Sequence, residues 1–154
     1  MKLMRYFLAL FLLTLVCAAQ TKPPAAAADT PDDISGTYTF LKDGEFLQID
    51  MEEGNRVTGF ISRYGESEGD KGAPLDHIIK EGELKGTDLH FKTRIVHGLW
   101  YEFTGTVVTD MSKMGQEGFR VLKGKLTQAT EGESKGKSRE VAFKLMPMDS
   151  PTRK

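Results

Sequence analysis

Between residues 34 and 146 apolar and polar side chains alternate in short runs bounded by Gly, Asp and Ser, and no stretch carries a sustained helical stripe. The pattern predicts eight strands: Ile34–Leu41, Glu45–Glu52, Arg56–Tyr64, Asp76–Lys85, Asp88–Val96, Leu99–Thr109, Phe119–Gln128 and Arg139–Leu145. Lys42-Asp43-Gly44, Glu53-Gly54-Asn55 and Gly86-Thr87 are expected as tight turns, because each holds a residue that tolerates positive φ. Longer polar connections are expected at 65–74, 110–118 and 129–138.

Eight strands joined mostly by short loops point to an all-β fold, a single antiparallel up-and-down barrel, because closure removes the unpaired edges of an open meander. A two-sheet β-sandwich is the alternative. A membrane barrel fits less well: the second, fourth and seventh strands alternate with charges, no lipid-facing band is visible, and no aromatic residue closes the C-terminus. An apolar–polar–Gly triplet recurs at Ile34-Ser35-Gly36, Val57-Thr58-Gly59, Leu84-Lys85-Gly86, Phe103-Thr104-Gly105 and Leu122-Lys123-Gly124. Glycine weakens a strand, so its repetition suits strongly bent strands of a small barrel; Gly86 belongs to a turn.

The ends read differently. Lys2 and Arg5 precede the apolar run Tyr6–Val16, and small residues follow at Ala18 and Ala19. This is the pattern of a signal peptide over residues 1–19, cut after Ala19 or after Ala18, and it directs the chain to the periplasm or the exterior. Lipidation of Cys17 is a less favoured reading, because Val16 and Thr14 occupy the positions before it. Cys17 is the sole cysteine, so a chain cut at Ala19 carries no disulfide and relies on its core. Residues 20–33, rich in Pro, Ala and Asp, read as a flexible linker, and 147–154 as a frayed tail. Loss of Lys2 and Arg5 takes the formal net charge from −1 to −3, which argues for neither nucleic acid nor anionic membrane as a partner. Oligomeric state is not legible.

Residues 34–146 resemble the calycin group, the lipocalin-like and avidin-like barrels. Gly36-Thr37-Tyr38 is similar to the Gly-x-Trp that opens those barrels, with Tyr38 in place of Trp, and Val57-Thr58-Gly59-Phe60 is similar to an early avidin-like strand. The resemblance implies a closed barrel that holds something inside; it transfers no ligand and no binding residue. Arg63-Tyr64-Gly65 and His97-Gly98-Leu99-Trp100-Tyr101 also resemble parts of an uncharacterised bacterial exported family, which implies no function.

With Gly86-Thr87 as the turn, Lys85 faces Asp88, Leu84 faces Leu89, and the same register carries Asp76 opposite His97. Leu89, Phe91, Thr93, Ile95 and His97 then share the interior face, so Asp76 and His97 meet at one barrel mouth. A carboxylate beside an imidazole suits a ligand contact or a general base; a structural hydrogen bond closing the barrel end is the plainer reading of the same pair. Arg63 and Tyr64 are expected at that mouth. Of the neighbours Trp100 and Tyr101 one points in and one out, and an outward Trp100 marks a ligand or partner surface. His77 and His90 are expected to face solvent, which leaves no zinc site, and Glu66, Glu68 and Asp70 read as a solvated loop without calcium-site spacing. Ser62, Ser67 and Ser112 lack any context for activation.

The resemblance thus implies a non-enzymatic exported barrel that binds a small, partly apolar molecule in its interior, and no residue pattern calls for a metal or cofactor. Two alternatives stay open: an envelope interaction module whose interior is filled, by Phe40, Ile49, Ile78, Phe91, Ile95 and Phe143 among others, and a hydrolase-type enzyme using Asp76 and His97.

Overall fold

A computed structural model describes residues 33–133 and 136–147. The expected signal peptide, almost all of the linker and the tail beyond Pro147 lie outside the described residues. The described chain forms β1 (Gly36–Thr39), β2 (Phe46–Met51), β3 (Val57–Tyr64), β4 (Pro74–Lys85), β5 (Asp88–Thr93), β6 (Leu99–Thr109), β7 (Arg120–Thr130) and β8 (Lys137–Lys144). Each strand pairs antiparallel with its sequence neighbours in one curled sheet. The last strand returns to the first: Leu145 bridges Tyr38, and the Met146 N–H donates to the Thr37 carbonyl at 2.8 Å. The barrel that the alternation predicted is the fold, and the sandwich is not.

Two ends follow from this topology. The loops 40–45, 65–73 and 94–98 and residues 131–133 crowd one end, called the mouth. The turns 52–56 and 86–87, the loop 110–119 and both described chain ends lie at the other.

The interior is filled by side chains from alternate positions. Tyr38, Leu47, Ile49, Val57, Ile61, Leu84, Leu89, Phe91, Phe103, Leu122, Leu126 and Phe143 are all essentially inaccessible to water. Burial of each large apolar side chain contributes about 1.5–3 kcal/mol before conformational entropy is subtracted. Aromatic rings form a column up the axis. Phe91 stacks on Phe103 (5.3 Å between centroids), Phe103 meets Phe143 (5.8 Å), Phe143 meets Phe40 (5.1 Å), and Phe40 meets Tyr101 edge-on (5.5 Å).

Glycine is required where strands press together. Gly59 has φ +129°, and a Cβ there would lie 2.1 Å from the Gln48 carbonyl oxygen. Gly105 and Gly124 are direct cross-strand partners, and a Cβ on Gly124 would lie 2.4 Å from the Gly105 Cα. Two of the recurring triplets thus share one crossing. Gly86 sits in its turn with φ +59° and open space around it.

The β4–β5 hairpin begins as expected, with Lys85 opposite Asp88 and Leu84 opposite Leu89. The register then shifts: Glu81 pairs with Lys92, but Ile79 pairs with Thr93, leaving Lys80 as the extra residue of a β-bulge. One inserted residue exchanges the faces of everything beyond it. Ile79 and His77 therefore point inward and are buried, whereas Ile78 and Asp76 point outward and are exposed. This corrects the expectations that Ile78 faces the core and that His77 faces solvent. β5 also ends at Thr93, three residues early. His97 (φ +48°) and Gly98 (φ +76°) are the two central residues of a tight turn between Val96 and Leu99, whose backbones exchange hydrogen bonds at 2.9 and 3.0 Å. Ile95 consequently lies in a loop and is exposed, not interior.

Candidate ligand site

The inward face of β3 reads Val57, Gly59, Ile61, Arg63, so the last position before the mouth places a cation over the apolar column. Arg63 is only 7% exposed. Its Nε and Nη2 donate to the Tyr64 carbonyl at 3.2 and 3.0 Å, its Nη1 donates to the Tyr101 hydroxyl at 2.9 Å, and Glu66 approaches Nη2 at 3.4 Å. Burial raises the pKa of the Tyr101 hydroxyl, with Arg63 acting in the opposite sense, so it stays a neutral hydrogen-bonding group.

His77 lies beside this pair, its ring edge-on to Tyr101 with centroids 5.1 Å apart. It is fully buried, and among the described residues neither ring nitrogen makes a well-formed hydrogen bond. Burial, reinforced by the Arg63 cation and opposed by a backbone contact with Arg94, lowers its pKa from 6.5 to about 4, so the ring is neutral near pH 7. Burying an imidazole so weakly bonded is costly. Glu45, also buried, accepts from the Tyr64 N–H at 3.3 Å through Oε1.

Two cavities adjoin these residues. One, of about 220 Å³, is lined by Leu41, Lys42, Glu45, Arg63, Glu66, Tyr101, Gln128 and Arg139. The other, of about 230 Å³, includes Arg63, Leu75, His77, Val96, Leu99 and Gln128, with loop residues Glu66, Ser67, Asp70 and His97 at its rim. Arg63, Glu66 and Gln128 belong to both.

The loop 65–73 over this mouth is ordered by its own polar contacts. Asp70 accepts from the Ser67 N–H at 2.9 Å and from the Ser67 hydroxyl, and its other oxygen meets His97 Nδ1 at 2.6 Å. The Ser67 hydroxyl hydrogen bond, with His97 next, holds the Asp70 pKa below its usual value. Glu66 ion-pairs with Lys42 across to the loop after β1, and that contact, with the Arg63 charge, likewise lowers its pKa.

The expected pairing of Asp76 with His97 does not occur. Asp76 stands opposite Ser62 on the outer wall, and His97 is bound to Asp70 instead, because the Lys80 bulge and the His97-Gly98 turn break the register that would join them. The hydrolase reading built on that pair loses its geometry. Arg63 is at the mouth. Tyr64 faces outward and is 44% exposed, so it reaches the site only through its backbone carbonyl. Trp100 is the outward member of its pair, half-buried on the barrel wall under the Lys92 ammonium, 4.3 Å from the ring centroid. His90 faces outward as expected and meets Glu102 at 3.0 Å. His77, Glu45 and Gln128 are the mouth residues that sequence reasoning missed. The doublets Ile78-Ile79 and Lys80-Glu81 are the trace of the bulge that turns His77 inward.

No protein-family model matches the chain, and no curated protein sequence matches it. Solved structures do. Rhizavidin, solved as a biotin complex, superposes with a TM-score of 0.53 at 14% identity, covering 82% of this chain and 100% of that one. Apo short afifavidin gives a TM-score of 0.50 at 19% identity, covering 75% and 98%. The chain is a calycin-like barrel. At such identities the likeness shows the fold alone. Among the described residues of this barrel no helix is long and apolar enough to cross a membrane.

Proposed function

We propose that this protein is exported and binds a small molecule at the mouth of its barrel, without catalysing a reaction. The observation that carries the reading is Arg63, a buried cation that lines both mouth cavities and is bonded to Tyr101 near His77. A buried guanidinium that reaches two cavities offers N–H donors to a polar group that enters them. The barrel fold adds support, since rhizavidin was solved as a biotin complex. The signal-like segment 1–19 supports export.

A second reading has its own observation. The axis below Tyr101 is occupied by Phe40, Phe143, Phe103 and Phe91, which leaves room for a ligand at the mouth and not along the barrel. A barrel plugged to this depth also suits a module that works through its outer surface.

Native mass spectrometry of the protein purified from its host's exported fraction separates the two. A reproducible added mass that disappears on denaturation is expected for the mouth-binding reading. A clean apo mass, together with unchanged side-chain signals of Arg63 and His77 when host small-molecule extract is added, would overturn it in favour of the surface module. Recovery of the chain only from the cytoplasm would overturn export.

A further inference from the structure

The barrel closes along only part of its seam. Near the base Tyr38 bridges Leu145, and the Met146 N–H reaches the Thr37 carbonyl. Toward the mouth the last hydrogen bond across the seam among the described residues runs from the Lys144 N–H to the Thr39 hydroxyl, at 2.9 Å. There the chain turns off into the loop 40–45, and the Phe40 N–H bonds the Glu45 carbonyl at 3.3 Å instead of β8. The mouth half of β8 is left as a sheet edge. The Leu145 N–H donates to the Arg120 carbonyl on β7 at 2.8 Å, and antiparallel bonding alternates along a strand. Phe143, Val141, Arg139 and Lys137 therefore turn their backbone groups to β7, and Ser138, Glu140 and Ala142 turn theirs to the open side. Ser138, Glu140 and Ala142 are exposed, and among the described residues no backbone group pairs with them on that side. The edge is also cationic. Lys137 and Arg139 lie on it, and Lys123 and Lys125 stand on β7 opposite Ala142 and Glu140. Among the described residues none of these four cations is ion-paired, and Glu140 is the one acid of β8.

From this arrangement we infer that β8 is a docking edge for an extended acidic segment of a partner protein, which adds antiparallel to it as a further strand along Lys137 to Ala142. The inference goes beyond ligand binding at the mouth and does not rest on it. A row of unpaired N–H and C=O groups on an exposed edge is a template for another strand, and main-chain bonds give such a contact its affinity. The basic side chains decide which strand is accepted. A second β8 laid against the first would crowd Lys137 and Arg139 of both copies onto one short edge, and like charges across a strand pair destabilise it. An acidic strand brings the opposite sign. The period of two sets its spacing. Lys137, Arg139 and Val141 share one face of β8, so the added segment reads apolar–x–acid–x–acid in its own direction, with the apolar residue beside Val141.

The test is an NMR titration of the isotope-labelled protein at low salt with the end-blocked peptide TVTETET, read at the backbone amides. Saturable shifts and slowed hydrogen exchange are expected at Ser138, Glu140 and Ala142, whose amides meet the peptide backbone. The peptide TVTKTKT is expected to bind about tenfold more weakly, because two exposed attractions become two repulsions. The peptide TVPETET keeps both acids but loses the N–H that reaches the Glu140 carbonyl, and it is expected not to bind. The double variant Lys137→Glu, Arg139→Glu, altered only at exposed positions, is expected to reverse the preference in favour of TVTKTKT. Equal binding of TVTETET and TVTKTKT would overturn the acidic partner. Undiminished binding of TVPETET would overturn strand addition. Absence of any shift at these amides overturns the inference. So does a dimer of the protein alone in which the same amides already exchange slowly, since a second copy would then hold the edge.

Discussion

Arg63 and Tyr101 stand 38 residues apart in sequence and meet across the barrel mouth, guanidinium Nη1 to phenol oxygen, at 2.9 Å. The contact joins β3 to β6, which are not neighbours in the sheet, and caps the aromatic column where it reaches the opening. Tyr101→Phe would leave the Arg63 Nη1 without its acceptor while preserving the ring. A loss of about 1–3 kcal/mol is expected from urea unfolding, the cost of a buried donor left unmade. A stability equal to that of the parent protein would mean that water replaces the hydroxyl at no cost.

His77 makes stability depend on pH. Its folded-state pKa is about 4 against 6.5 unperturbed. The unfolded chain therefore binds the extra proton first, so the stability held by the neutral ring is complete above about pH 6.5 and lost as pH falls toward 4. About 2–3 kcal/mol is expected to disappear over that window. Comparison with His77→Phe isolates the contribution: the urea midpoint of the variant should fall less between pH 7.5 and 4.5. Parallel pH profiles for the two proteins would show that His77 is not desolvated.

The two kinds of glycine separate by substitution. Gly59→Ala would drive a Cβ into the Gln48 carbonyl at 2.1 Å with φ at +129°. It should cost about 2–4 kcal/mol or prevent folding. Gly86→Ala, also at positive φ but in open space, should cost about 1 kcal/mol. Thermal unfolding of both variants decides it, and equal losses would remove the crowding explanation for Gly59.

Asp70 fastens the mouth loop to the turn at His97 while taking no part in the core. Asp70→Ala should raise amide hydrogen exchange at Gly72 and Ala73 by about tenfold, as local opening becomes easier, and leave the global unfolding transition where it was. Unchanged exchange at those amides would show that the loop is held by Lys42–Glu66 and its backbone bonds alone.

Much of the fold was legible because alternation has a period of two and turns have specific chemistry. The sixth strand, Leu99–Thr109, occurs with the expected bounds, and Gly86-Thr87 sets the expected register for its first pairs. The site was legible only in part. Arg63 shares its face with Ile61, so its inward aim could be read from β3 alone, and Glu45 could have been read likewise from Leu47 and Ile49. The partnership of Asp76 with His97 failed because it assumed an unbroken ladder over the whole hairpin. A single extra residue at Lys80 reverses sidedness beyond it and turns Ile79 and His77 inward. Such a bulge is a property of two strands together, and one strand's alternation carries only a faint mark of it.

The seam between β1 and Leu145 brings Asp33 and Pro147 out at the end of the barrel farthest from Arg63 and His77. Whatever is joined to either end of the described chain, be it an affinity handle, a solid support or a bilayer, holds the molecule by its base. An attachment at that end leaves the opening clear.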